Sequence, residues 1–442
     1  VTATDVVCLG ESMVTFLPSR PGRLADVPSF VRAIGGAESN VACALAAAGH
    51  RTRWVSRVGA DGFGDHLVQA VAAYGVDTAA VRRDPTRPTG IYFRTATDRT
   101  TDAHEVVYYR AGSAASAMSP ETVSYEDLAP ARVLHLSGIT AALSAGCLAL
   151  MRALTARRPG RPLLSFDVNH RPGLWRGADP SVLLDLARGA DLVFVGEDEA
   201  EAAWSLRGAA AIRAALPEPC VVVVKQGGRG ATAFSRCAGV EPGAPPPDPR
   251  ASNAGEAECA PRREAAAHQG CGGVSPHGET SPPAQGAWGR SPQFREGAGW
   301  GTAPRSGPTP APAHPVPSPG AAPDPGRRPD GQGARPQQGP QQGDTVTFVP
   351  APRVDVVAPV GAGDAFAAGF IGATLRGLGL THRLRHGHLM AAAALTVPGD
   401  LGTPPATAHA DRLAGLDEDA WERLHLGPGW TRTGEDQEVR TP

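Results

Sequence analysis

The decapeptide Gly361-Ala362-Gly363-Asp364-Ala365-Phe366-Ala367-Ala368-Gly369-Phe370 combines small residues with a single carboxylate close to its start. The small residues open what reads as a helix, and Asp364 falls in its first turn. A helix N-terminus leaves backbone N–H groups unpaired, and glycine lets a polyanion come close to them. A carboxylate beside such an anion site can take the proton of a hydroxyl while the backbone holds a transferring phosphate. Phosphoryl transfer asks for those two devices and for little covalent chemistry from the protein. The same residues also suit an ordinary turn and helix cap, so the other polar clusters of the chain must decide.

Ile34-Gly35-Gly36-Ala37-Glu38-Ser39-Asn40 precedes a helix-like run. Gly35 and Gly36 admit a sugar-sized ligand at close range, and Asn40 presents a neutral amide; a tight turn with a cap would use the same residues. Asp167-Val168-Asn169-His170-Arg171 gathers an acid, an amide and a guanidinium. Arg171 can grip a carboxylate through two parallel hydrogen bonds, unless an ion pair with Asp167 occupies it. Tyr108 and Arg110 lie two residues apart and share a face if their strand continues, with Tyr92 on a neighbouring candidate strand. That grouping suits a lid contact to an acidic, polyhydroxylated ligand.

Glu197-Asp198-Glu199 follows a buried run directly. Glu199 is the candidate to hold magnesium through water, since that ion dehydrates reluctantly; a helix-start carboxylate is the simpler role. Lys225-Gln226-Gly227-Gly228-Arg229-Gly230 ends another buried run. Lys225, Gly227, Gly228 and Gly230 are the candidate nucleotide contacts, with a plain turn as the rival. No Gly-Lys-Ser/Thr occurs there, so this is not the Walker phosphate loop.

Elements of α/β type must position these groups. Asp5-Val6-Val7-Cys8-Leu9-Gly10, Val133-Leu134-His135-Leu136-Ser137, Leu163-Leu164-Ser165-Phe166-Asp167, Leu192-Val193-Phe194-Val195 and Cys220-Val221-Val222-Val223-Val224-Lys225 read as buried strands. They lack strict alternation and are separated by Ala/Leu/Arg helices, which predicts a largely parallel sheet covered on both faces. In such sheets ligands gather at the carboxyl ends of the strands, where most of the polar clusters fall. Ile91-Tyr92-Phe93-Arg94 and Glu105-Val106-Val107-Tyr108-Tyr109 alternate instead, which suits a small sheet outside the main one.

Of the 442 residues, those from 235 to 343 are crowded with Pro and Gly and nearly lack large aliphatic side chains. Such a segment cannot bury enough apolar area to offset chain ordering, so it is expected to be disordered. Trp288, Phe294 and Trp300 are too isolated to build a core there. Residues 1–234 and 344–442 remain for one α/β domain with a small lid, its strands within about 12–34 and 88–112, and a flexible end. A net charge of −2 without a basic stripe argues against nucleic acid as a partner. No apolar run approaches a membrane span, and the N-terminus is unlike a secretion signal. Seven cysteines lie scattered without metal-like spacing, Cys8 and Cys220 in strand-like contexts as small core residues. The cytoplasm is the expected compartment.

Gly35-Gly36, Gly59-Ala60-Asp61-Gly62-Phe63-Gly64 and Gly361-Ala362-Gly363-Asp364 together resemble the landmarks of the ribokinase-like (PfkB) carbohydrate kinases. The likeness runs from Val6 to about Phe234 and resumes from about Val346 to Leu401. Within that family the chain is most similar to the 2-keto-3-deoxygluconate kinases, through Tyr108 to Ser116, Leu134 to Thr140 and Asp167 to Arg171. The resemblance implies a doubly wound, largely parallel sheet flanked by helices, with a small β-sheet lid. It also implies ATP as donor, magnesium, and phosphorylation of a terminal hydroxyl to give 2-keto-3-deoxy-6-phosphogluconate. Asp364 would be the catalytic base and Gly361, Ala362 and Gly363 the anion hole; Gly35, Tyr92, Tyr108, Arg110 and Arg171 correspond to family substrate contacts, and Asp400 to a late substrate-side acid. Two positions depart from the pattern. Ala358 stands where the family commonly has an Asp associated with cation binding, which leaves a monovalent cation open. Gly196 replaces a strand-end Asn.

The segment 235–343 interrupts what would be a short strand connection, at a loop-closure cost that grows only logarithmically with length. It is expected to leave the chemistry intact and to pass near the nucleotide entrance. A fructokinase or other neutral-sugar kinase is the main rival reading, since the phosphate machinery would be the same. A nucleoside kinase lacks its aromatic platform here, and a non-catalytic sugar-acid sensor has little use for Asp364 beside intact glycines. An exposed lid sheet also suits contact with a second copy of the chain.

Overall fold

Runs such as Val6-Val7-Cys8-Leu9 are apolar throughout because the strands they form are covered on both sides. In the computed structural model, which describes residues 4–20, 22–95, 106–128, 130–236 and 343–432, Val6 and Cys8 enter one core while Val7 and Leu9 enter another. The same division sends Phe194, Val221 and Val223 to the first core and Val193, Val222 and Val224 to the second. Successive side chains of a strand point to opposite faces, so two apolar faces demand an unbroken apolar run.

The main sheet has eight strands, in the spatial order Thr345–Pro350, Gly230–Ser235, Val221–Lys225, Leu192–Gly196, Leu163–Asp167, Ala131–Ser137, Thr4–Leu9 and Thr52–Val55. The last six of these pair in parallel, and the first two add antiparallel strands at one edge. Parallel register aligns Asp167 with Ser137 and Gly196 with Lys225, so the polar strand ends meet along one edge. A separate four-stranded sheet, Phe30–Gly35, Met13–Pro18, Ile91–Arg94 and Val106–Tyr109, forms the lid. Its strands pair through Gly35 with Met13, Thr15 with Tyr92, and Tyr92 with Tyr108.

The helix Ala362–Leu375 is buried from Ala365 to Leu375 and packs against the helices Ala37–Ala47 and Leu380–Leu395. Phe366 and Phe370 reach Phe194 edge-to-face, with ring centroids 6.3 and 5.4 Å away. The helix that carries Asp364 is therefore also a central piece of the first core. Burying a phenylalanine of this kind contributes roughly 1.5–3 kcal/mol, so the position of the first turn is held by packing far along the helix.

The described residues belong to one unit, Val1–Asp248 together with Arg335–Pro442. The expected disordered segment lies, apart from 235, 236 and 343, outside the described residues, as do Cys237, Cys259 and Cys271 and the end from 433 onward. The root of that segment is well defined. Ser235 is the register partner of Thr345, so the chain leaves and re-enters on adjacent strands. Lys225 pairs with Ala231 and Gly230 with Pro350 at the other end of the same strands. The root thus sits at the amino edge of the parallel sheet, beside Val221 and roughly 13 Å of strand away from Lys225, and not beside the Lys225–Gly230 turn. A buried ion pair fixes it: Arg213 Nε and Nη2 donate to Asp344 at 2.7 and 2.9 Å, both side chains being 0% exposed. Arg213 Nη1 donates to the carbonyls of Leu216 and Pro219. We expect replacement of 237–342 by a short turn to leave the chain folded with no loss of melting temperature, because a shorter connector costs less loop-closure entropy. Loss of soluble protein would show instead that the segment takes part in the fold.

Cys8 is wholly buried as a small core residue, and Cys220 is half-buried and packed against the same core. No helix among the described residues is long and apolar enough to cross a membrane.

Candidate active site

The N-cap of the helix Ala362–Leu375 is Gly361 in the left-handed region, φ 74°, and no side chain caps the helix. A Cβ at Gly361 would lie 2.1 Å from the carbonyl oxygen of Asp400, so glycine is required by both conformation and space. The first-turn N–H groups are consequently left to a ligand, the condition for an anion site. Asp364 is half-buried in that turn, and Asn40 Nδ2 donates to its Oδ2 at 2.9 Å. The amide that holds the carboxylate comes from the buried first turn of the helix Ala37–Ala47, so two helix starts face each other. Asn40 Oδ1 is buried without a protein partner and remains an acceptor for a ligand hydroxyl.

Lys225 closes the other side. Its Nζ donates to both oxygens of Asp167, at 3.0 and 2.9 Å, and a Cβ at Gly363 would lie 3.5 Å from it. Burial opposes the ammonium charge, but Asp167 and Glu199 outweigh burial and hold its pKa above the ordinary lysine value. A fixed cation thus stands beside the empty N–H groups. Asp364 responds to the same surroundings: burial pushes its carboxyl up to about 7, against the pull of the Asn40 bond and of Arg171 and Lys225. A carboxyl poised near neutral pH is matched to general base work.

The ion pair weighed between Asp167 and Arg171 does not form. Asp167 is taken by Lys225, and Arg171 faces Glu199 at 3.6 Å while remaining 52% exposed. Asn169, between them, adopts φ 43°, in the left-handed region that asparagine enters more readily than most residues. Glu199 Oε2 accepts from the N–H of Gly196 at 3.0 Å, closing the start of the helix Glu197–Trp204. Its helix-start role is therefore real, and its other oxygen faces Arg171. Among the described residues no group of three or more His, Cys, Asp and Glu side chains is arranged to hold a metal. Both Glu199 oxygens are engaged, which suits an outer contact to a hydrated ion and not direct ligation.

On the lid side, Gly35 makes room for two groups: a Cβ there would meet Tyr92 Oη at 2.2 Å and Asp400 Oδ2 at 2.8 Å. Gly36 packs its backbone on that of Glu11 and Ser12. Tyr92 Oη donates to Asp400 at 3.1 Å, and its ring lies 5.4 Å from that of Tyr108. Arg110 stands over Tyr108 at 5.7 Å, but it forms a buried ion pair with Glu11, whose other oxygen accepts from Ser113. Gly227 and Gly228 are exposed with open space around them, while Gly230, φ 136°, abuts the carbonyl of Val349 and serves the turn between strands. Ala358 is buried, its N–H on Leu395.

The structure therefore brings Asn40, Asp364, Gly361, Gly363 and Lys225 together at one place, and Gly35, Tyr92, Tyr108 and Asp400 at another beside it. Sequence reasoning missed Glu11, the partner of Arg110, and Arg94, which pairs with Asp400 at 2.8 Å. The signal for Arg94 was its spacing: it stands two residues from Tyr92 on an alternating strand and so shares its inward face.

A parallel α/β sheet with a β lid over its carboxyl edge, and a glycine-started helix under that lid, define a ribokinase-like fold. Comparison places the protein more closely. The chain belongs to the pfkB family of carbohydrate kinases, which it matches over residues 3–249 and 331–406. It is 37% identical over 201 residues to the 2-dehydro-3-deoxygluconokinase of Bacillus subtilis (strain 168), a match covering 45% of this chain and 61% of that protein. The 2-dehydro-3-deoxygluconokinase of Thermoproteus tenax is 32% identical over 206 residues, covering 46% and 62%. Fructokinase-1 of Oryza sativa subsp. japonica is 33% identical over 199 residues, covering 44% and 61%. The chain thus spans about three fifths of the length of the curated relatives it matches. Among solved structures, the PfkB protein of Polaromonas sp. JS666 superposes with a TM-score of 0.60 at 27% identity, over 92% of this chain and 99% of that one. The 2-dehydro-3-deoxygluconokinase of Thermotoga maritima shares the fold, with a TM-score of 0.60 at 19% identity, over 94% and 99%.

Proposed function

We propose that the chain transfers the γ-phosphoryl group of ATP to the terminal hydroxyl of 2-keto-3-deoxygluconate, forming 2-keto-3-deoxy-6-phosphogluconate. The observation that carries this reading is Asp364 held by Asn40 at 2.9 Å in the first turn of an uncapped, glycine-started helix. Asp364 accepts the hydroxyl proton as that oxygen attacks phosphorus, and the N–H groups from Gly361 to Gly363 take up the charge on the phosphate. Lys225, Gly227 and Gly228 are the nucleotide side of the cleft, with Gly230 shaping the turn. Magnesium arriving with the nucleotide would add charge neutralisation, with Glu199 as the carboxylate for one of its waters. The lid excludes water that would compete as acceptor.

The sugar-acid assignment rests on charge. Arg110 is matched by Glu11 and Arg94 by Asp400, whereas Arg171 is half-exposed with one loose partner. It is the cation with capacity for a substrate carboxylate. Gly35, Gly36, Tyr92, Tyr108, Arg110 and Asp400 line the acceptor side. The rice fructokinase at 33% identity favours fructose as the second reading. We assign the exposed lid residues Val31 and Tyr109 to contact with a second copy of the chain, and the activity to the cytoplasm.

The test is magnesium- and ATP-dependent ADP release over 2-keto-3-deoxygluconate, 2-keto-3-deoxygalactonate, fructose, ribose and gluconate. A kcat/KM about tenfold higher for a 2-keto-3-deoxy acid is expected, the usual worth of one charge-assisted hydrogen bond. Preference for fructose would keep the phosphate machinery and overturn the role of Arg171. No turnover on any of the five would overturn the acceptor class.

A further inference from the structure

Arg94 lies on the lid and Asp400 on the main body, and their ion pair is buried to 7% and 6% exposure of the two side chains. Arg94 Nη2 donates to Asp400 Oδ1 at 2.8 Å and reaches the carbonyl of Pro398 at 3.5 Å. Tyr92, two residues earlier on the same lid strand, donates to the second oxygen of Asp400. Gly35, from another lid strand, leaves the gap in which these groups meet. Three lid positions thus converge on one residue of the body. The backbone of that residue rests on the anion hole: the Asp400 carbonyl oxygen fills the space where a Cβ of Gly361 would be.

We propose that Arg94 is a positioning residue which, acting through Asp400, couples closure of the lid over the acceptor to the geometry of the Gly361–Gly363 anion hole. The proposal rests on the kinase reading above. A buried carboxylate deprived of its cation does not stay in place, because the uncompensated charge seeks water. When Asp400 moves, the wall against which Gly361 is packed moves with it, and a displacement of about 1 Å in a transfer site costs up to ~100-fold in rate. Arg94 Nη2 is committed to Asp400 and Pro398, whereas its Nε is buried without a protein partner, so the coupling runs through Nη2 and asks for no contact with the acceptor.

The experiment compares the full-length wild type with Arg94→Gln and Arg94→Lys. The readouts are kcat, both KM values, the ratio of ADP formed to sugar phosphorylated, and amide hydrogen exchange at 365–368 without any ligand, where the first helical bond, from the Ala365 N–H to the Gly361 carbonyl, reports the position of Gly361. For Arg94→Gln we expect kcat to fall by about 10–100-fold, ADP to exceed phosphorylated sugar, and exchange at 365–368 to rise. Arg94→Lys keeps the charge and should recover most of kcat and of the protection. A glutamine variant with unchanged kcat and unchanged exchange, and only a higher sugar KM, would overturn the coupling and leave Arg94 a simple acceptor contact. Equal losses in both variants together with a lowered melting temperature would also overturn it, as a purely structural role. Hydrogen exchange needs no substrate, so the coupling can fail or stand even where the acceptor panel finds no turnover by the wild type.

Discussion

Asp364→Asn lowers kcat by about 10²–10⁴-fold, the usual worth of a positioned general base, while both KM values stay within a few-fold. The amide keeps the shape of the side chain and can still face Asn40, so the loss reports proton transfer and not a vacated space. The same reasoning sets the pH dependence. Burial raises the Asp364 carboxyl to about 7, and only its ionised form accepts a proton. Activity should therefore fall as pH drops through about 7, with a slope of one proton. Asn40→Ala removes a hydrogen bond that favours the charged form, so the midpoint should move upward. Stability runs the other way. A folded pKa above the unfolded value of an aspartate means that the folded state holds the extra proton, and stability is lost as pH rises from about 4 to 7. Asp364→Asn should thus melt no lower than wild type at pH 8. A flat rate profile between pH 6 and 8, or near-normal turnover by the asparagine variant, would remove Asp364 from the role of base.

The second large effect belongs to Lys225. Its ammonium is hydrogen-bonded by both oxygens of a 2%-exposed Asp167 and stands beside Gly363. Lys225→Met withdraws a fixed cation from the phosphate site, for which a loss of roughly 10²–10³-fold in kcat is expected, comparable to losing one oxyanion donor. It also strands a buried carboxylate, which typically costs about 3–5 kcal/mol of stability. The two losses separate in the double variant Asp167→Asn/Lys225→Met. Removing both charges should return most of the melting temperature without returning activity. If the double variant recovered turnover as well, Lys225 would be a structural partner of Asp167 and no part of the phosphate site.

What could be read from residues alone was whatever local chemistry dictates. Glycine pairs and the Gly-Ala-Gly-Asp helix start were legible because open backbone at a helix end has few uses. The parallel sheet was legible because strands such as Val221–Lys225 are apolar on both faces. The partners of the charges were not. Arg94 and Asp400 stand 306 residues apart, and only folding of the lid onto the body makes one the counter-ion of the other. Arg110 resembled a free carboxylate receptor because nothing in Tyr108-Tyr109-Arg110 announces that Glu11 lies across from it. The rival reading of Arg171, an ion pair with its near neighbour Asp167, fails because Lys225, from two strands away, takes that aspartate. Sequence spacing describes one strand at a time, and ion pairs between strands depend on register.

The hairpin interrupted between Ser235 and Thr345 also bears on biosynthesis. The sheet strands up to Gly230–Ser235 leave the ribosome with one apolar face only partly covered, by the helix Ala37–Ala47, since the central helix Ala362–Leu375 is encoded beyond the interruption. At ~5–20 residues per second, residues 237–342 delay that helix by roughly 5–20 s. For that interval Phe194, Val221 and Val223 belong to a nascent chain without its central helix, and both the core and the proposed phosphate site are completed by the same late arrival. A shortened connector would change the timing of folding far more than the finished fold.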